Sequence, residues 1–243
     1  MRTSLCFVGA LVATGVSSSV RAAVLYEDIS YWLPGGSTVI NPVNPPTNAY
    51  VKIQETVYDD AQGRAILAQQ LQFGLVNGNP IPAAPFELYG YSITNMSYDN
   101  GPFTGVGAGV SGFNIPNTFN ASVLGIWGPN AANSRWRPAP GNQPFPANFE
   151  WDIDGNNNQA DGDGIGILLG QTHNSFYFAV PAGTQHGFID GAWVHTWSGA
   201  GALEQPAAAQ ADLVFGRLSG PIPAPGAFGL LGLAGIATCR RRR

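Results

Sequence analysis

The stretch YVKIQETVY, residues 50–58, decides the fold class. Val51, Ile53 and Val57 alternate with Lys52, Gln54 and Thr56, a period of two that puts apolar side chains on one face of a strand and polar ones on the other. The period recurs outward along the chain. Tyr89, Tyr91 and Ile93 alternate in LYGYSIT (88–94), and Phe176, Phe178 and Val180 in FYFAV (176–180). Trp193, His195 and Trp197 follow in WVHTW (193–197), then Leu213 and Phe215 in DLVFGR (212–217). Between these segments lie Pro/Gly/Asn clusters such as PGGSTVINPVNPPTN (34–48) and GPNAANSRWRPAPGNQPFPAN (128–148), which punctuate short strands. The helix candidate GRAILAQQLQFGLV (63–76) has Leu67, Leu71 and Leu75 at i, i+4 spacing, but Leu71, Phe73 and Leu75 also alternate, and it reads as a strand. The expected fold is all-β, an antiparallel β-sandwich of jelly-roll type.

The two ends are unlike this domain. Residues 1–22 carry a basic residue at Arg2, an apolar core from Leu5 to Val16, and small residues leading to Ala22, with Val20 and Ala22 at the −3 and −1 positions of a cleavage site. This is the pattern of a secretory signal peptide cut between Ala22 and Ala23, and its core is short of the roughly 20 apolar residues of a membrane span. The domain is expected over residues 23–218, with a linker and tail over 219–243. Without the ends, five basic residues face fifteen acidic ones, a formal charge of −10, which repels phosphate backbones and argues against nucleic acid as a partner. Both cysteines, Cys6 and Cys239, fall in the end segments, so no disulfide is expected within the domain.

The densest chemistry is FEWDIDGNNNQADGDGIGILLG (149–170). Asp152, Asp154, Asn156, Asn158, Asp161 and Asp163 are oxygen donors at close spacing, which suits calcium as the candidate cofactor. An EF-hand pattern begun at Asp154 lacks its glycine at Gln159 and its final glutamate at Ile165, so an Asx-rich loop is the alternative reading. The EWDID segment looks like the Glu-x-Asp-x-Glu strand of laminarinase-like glycoside hydrolases. That resemblance implies Glu150 as nucleophile, Asp152 as supporting carboxylate and Asp154 as acid/base, with Asp154 where the family has glutamate. Trp193 and Trp197 are ligand-stacking candidates if WVHTW turns its indoles outward, and core residues, the favoured reading, if inward. His173, His186 and His195 match no zinc spacing and read as satisfied by backbone or water. The domain contains neither a Gly-x-Ser-x-Gly elbow nor a phosphate-binding glycine loop.

The chain ends PIPAPGAFGLLGLAGIATCRRRR (221–243). Pro223, Ala224 and Pro225 precede an apolar run, 226–239, that as a helix extends about 21 Å, and Arg240, Arg241, Arg242 and Arg243 close it. Four arginines fix a short transmembrane helix with its C-terminus on the cytoplasmic side. The arrangement resembles the PEP-CTERM sorting signal of bacterial surface proteins, with Ala224 where the family has glutamate. The resemblance implies the export machinery and an exosortase-type transpeptidase as partners, and residence at the cell surface or in the extracellular matrix. The expectation is therefore an exported, non-enzymatic sandwich with extracellular polysaccharide as a partner, the alternative being the jelly-roll glycoside hydrolase.

Overall fold

The computed structural model describes residues 23–72, 79–97, 109–116, 123–131, 134–138, 149–152, 166–195 and 213–222. In chain order the strands are β1 (Val24–Trp32), β2 (Thr38–Ile40), β3 (Val51–Tyr58), β4 (Phe86–Asn95), β5 (Gly112–Ile115), β6 (Gly125–Trp127) and β7 (Asn130–Ala131). They continue as β8 (Ser134–Arg135), β9 (Arg137–Pro138), β10 (Phe149–Asp152), β11 (Thr172–Pro181), β12 (Gln185–His195) and β13 (Leu213–Ile222). One helix, α1 (Asp60–Gln72), lies between β3 and β4. A six-stranded sheet, ordered β2-β1-β3-β4-β11-β6, faces a five-stranded sheet, ordered β13-β12-β5-β10-β9, and β7 and β8 form a small separate ribbon. All pairings are antiparallel. The all-β sandwich expected from the alternating segments is the fold of the described residues.

The alternation of β3 translates directly into burial, with Val51, Ile53, Glu55 and Val57 inside and the residues between them half-exposed. The core between the sheets is aromatic: Phe149 stacks on Phe178 at 4.0 Å, Phe113 on Trp151 at 5.4 Å, and Tyr89 on Phe178 at 5.0 Å. Each such pair adds about 0.5–1.5 kcal/mol beyond the area it buries. In β12 the register shifts between Asp190 and Ala192, where Gly191 holds a φ of 82° that glycine adopts without strain. The bulge reverses the phase of the strand. Ile189 faces the core before it and Ala192 and Val194 after it, which turns Trp193 to the opposite face.

Two sequence expectations change. Residues 63–72 are helical, not a strand. Asp59 caps the helix, its Oδ1 accepting the Gln62 N–H at 2.8 Å, and Arg64 donates to Asp60 at 2.9 Å and to the Pro82 carbonyl at 2.8 Å. Of the leucine series, Leu67 is fully buried against the outer face of the six-stranded sheet, while Leu71 is 41% exposed. The second change is the domain boundary at residue 218, because β13 runs on to Ile222. Ser219 hydrogen-bonds Asp28 and the Ile189 side chain lies over Gly220. Pro221 is tolerated because β13 is an edge strand of its sheet.

Candidate functional site

Two groups of polar side chains stand out among the described residues. The first joins the sheets. Asp28 on β1 and Glu55 on β3 are directly paired in register, and His186 on β12 and Ser219 on β13 approach them from the other sheet. His186 Nε2 lies 3.4 Å from Asp28 Oδ2, and His186 Nδ1 lies 3.9 Å from Glu55 Oε1. Asp28 accepts from Ser219 Oγ at 2.6 Å and from Asn41 Nδ2 at 2.6 Å. The Tyr91 hydroxyl lies 3.4 Å from Glu55 Oε1 and donates to the Ser219 carbonyl at 3.2 Å. The imidazole is held flat by Tyr26, whose ring stacks on it at 4.2 Å with an 8° interplanar angle.

The electrostatics follow from burial. Glu55 is 2% exposed, and burial, reinforced by the negative charge of Asp28, pushes its carboxyl well above the usual range. Burial also raises Asp28, but hydrogen bonds from Ser219, Asn41 and His186 outweigh it and leave that carboxyl below its ordinary value. Burial lowers His186, partly offset by its hydrogen bond to Asp28. These shifts favour the protonated form of Glu55, the neutral imidazole of His186 and the ionised form of Asp28. Glu55 Oε2 and His186 Nδ1 have no hydrogen-bond partner among the described residues. Chemically, the group can exchange protons among its members or supply one nitrogen and two carboxylate donors to a cation.

The second group is a row across the outer face of the five-stranded sheet. Trp193 on β12 and Glu150 on β10 are both in register with Asn114 on β5. These residues alternate with the core residues Val194, Trp151 and Phe113, so the row faces away from the interior of the sandwich. Trp193 is nevertheless 7% exposed and Asn114 fully buried, and neither the Asn114 amide oxygen nor its nitrogen has a hydrogen-bond partner among the described residues. An unsatisfied buried polar atom costs about 1–3 kcal/mol.

The fold thus places two residues singled out in the sequence, Glu150 and Trp193, on either side of an asparagine that the sequence did not mark. Asp152 is the last residue of β10 and pairs through its backbone with Gly112, as does His195. Asp154, Asn156, Asn158, Asp161, Asp163 and Trp197 lie outside the described residues, as do Ala22, Pro223, Ala224, Pro225 and Arg240 to Arg243. Among the described residues no helix is long and apolar enough to cross a membrane. His173, read in sequence as unremarkable, accepts from Trp136 Nε1 at 3.1 Å, and burial lowers its basicity. His186, read the same way, belongs to the inter-sheet cluster.

No protein-family model matches the chain, and neither a curated protein nor a solved structure matches it.

Proposed function

We propose that this is an exported, surface-retained, non-enzymatic sandwich of jelly-roll type that binds extracellular polysaccharide on the outer face of its five-stranded sheet. The observation that carries the reading is the Trp193–Asn114–Glu150 row. An indole, an amide and a carboxylate are the residue types that hold polyols; Trp193 is 7% exposed and Asn114 fully buried, so a sugar reaches them only when this face is uncovered. The calcium reading of Asp152, Asp154, Asn156, Asn158, Asp161 and Asp163 belongs to the same proposal, since that acidic stretch begins where β10 ends. On this reading the signal peptide is removed after Ala22 and the tail from Pro223 onward is read by an exosortase-type transpeptidase at the membrane. Its support is the sequence pattern of the two ends; the first and last strands between them, β1 and β13, pack together through Trp32 and Arg217.

The test is affinity electrophoresis of the full-length chain in detergent through gels containing acidic and neutral polysaccharides. Wild type is expected to be retarded by at least one of them, and Trp193→Ala and Asn114→Ala to run freely while keeping a cooperative melt. Equal retardation of all three proteins, or of none, would sink the reading. A second reading, the laminarinase-like hydrolase, draws on the outward placement of Glu150 on β10. It requires measurable hydrolysis of laminarin by wild type and its loss in Glu150→Gln.

A further inference from the structure

We infer that Asp28, Glu55 and His186 form a zinc-type divalent metal site that ties the two sheets together. One donor atom from each residue can be chosen so that all three lie within 4.8 Å of one another. Zinc with bonds of about 2.0–2.1 Å sets tetrahedral ligands about 3.3 Å apart. The 3.4 Å between His186 Nε2 and Asp28 Oδ2 already matches that edge.

Three observations favour a cation here over a merely structural hydrogen-bond cluster. First, Asp28 and Glu55 are direct cross-strand neighbours, so a cation between them offsets the repulsion the pair meets whenever both are ionised. Second, the side chains of Glu55 and His186 are 3% and 10% exposed, yet each carries a buried atom, Oε2 and Nδ1, without a hydrogen-bond partner among the described residues. Third, a Glu55 carboxylate oxygen lies within 4.8 Å of the Asp28 and His186 donors when the ring contributes a single nitrogen. Ser219 and Asn41 already donate to Asp28, the outer support that orients a liganding carboxylate. The donor set selects the metal. One imidazole with two carboxylates suits zinc or a neighbouring first-row ion, whereas calcium takes six to eight oxygens. This site is separate from the acidic stretch and from the outer-face row, and stands whether or not the chain binds polysaccharide.

The experiment uses the full-length chain in detergent, stripped with a chelator and dialysed, with cobalt(II) and zinc as probes. Wild type is expected to take up one cobalt with the visible absorption of a low-coordinate site, to lose that band on adding one equivalent of zinc, and to melt higher with zinc. Glu55→Gln and His186→Gln are each expected to weaken the cobalt site by about 100-fold or more. Both should keep a cooperative melt in chelator, which separates loss of metal from loss of fold. If wild type gives no such band, or both variants keep the band and the zinc-dependent rise in melting temperature, the site is a proton-sharing cluster and the inference is wrong. A band displaced by excess calcium as readily as by zinc also overturns it, since that ion sits in an oxygen-only site elsewhere.

Discussion

Asp28 and Glu55 face each other across paired antiparallel strands at the junction of the two sheets, and the structure treats the two carboxyls oppositely. Hydrogen bonds keep Asp28 acidic, whereas burial makes Glu55 a reluctant acid. The asymmetry sets a pH dependence. A carboxyl whose folded value lies above its unfolded value of 4.5 adds no cost below that pH, where both states are protonated. Its cost grows as pH rises and the unfolded chain releases a proton that the folded chain retains. In chelator, Glu55→Gln is therefore expected to melt several degrees above wild type at pH 8 and within about a degree of it near pH 4.5, at roughly 2–4 °C per kcal/mol for a domain of this size. His186 contributes with the opposite sign. Its lowered folded value means that stability is lost as pH falls through 6.5, and both proteins share that loss. Melting curves from pH 4 to 9 check the difference, and a gap that does not widen with pH refutes the assignment of Glu55.

Trp32 on β1 and Gly216 on β13 fix how the edges of the two sheets meet. A Cβ added at Gly216 would lie 2.2 Å from the indole ring, and Trp32 is fully buried with its Nε1 donating to the Arg217 carbonyl at 3.1 Å. The indole has no room to retreat. Gly216→Ala is expected to destabilise the domain by about 1–3 kcal/mol through overpacking, measured by urea denaturation. Gly183→Ala, where an added Cβ meets nothing but φ is 82°, gives the contrasting case of backbone strain without overpacking.

The sheets were legible because alternation survives wherever a strand has one buried face, as in β3. The helix was not. The Asp59 cap, three residues before Gln62, is a local signal, but the clamp of Arg64 and Asp60 on Pro82 and Phe86, before and at the start of β4, spans 18 and 26 residues. The inter-sheet cluster was hidden for a similar reason, since Asp28 and His186 are 158 residues apart. One trace of it does stand in the sequence. In YVKIQETVY, Glu55 occupies the apolar register between Ile53 and Val57, and a carboxylate on a core face needs a partner. The outer-face row required register: nothing local links Glu150, Asn114 and Trp193 until β10, β5 and β12 align.

Leu67 tests whether α1 is an integral layer or an ornament. It is fully buried with Phe86, Leu88, Trp127, Tyr177 and Ala179 on the outer face of the six-stranded sheet. Leu67→Ala is expected to cost about 2–5 kcal/mol, whereas Leu71→Ala, at a position 41% exposed, should cost far less. Equal losses would mean that the helix does not hold its face against the sheet in solution.

Asp59 links the export reading to the fold. Its Oδ1 caps α1 through the Gln62 N–H, and its Oδ2 accepts the Ala23 N–H at 2.8 Å. If the signal is removed after Ala22, that amide nitrogen becomes the α-ammonium of the mature chain. A neutral hydrogen bond then turns into a charge-assisted one at an exposed site, partly screened by solvent. Asp59→Ala is expected to cost about 1 kcal/mol through the lost cap alone. Asp59→Asn keeps a capping oxygen and removes the charge, so it should cost the processed protein more than the unprocessed precursor. Melting temperatures of the exported form and of a chain retained with its signal sequence, each with and without Asp59→Asn, decide the point. An equal loss in both forms means that Asp59 serves the helix and not a new N-terminus, and Edman sequencing of the exported form shows whether that terminus is Ala23.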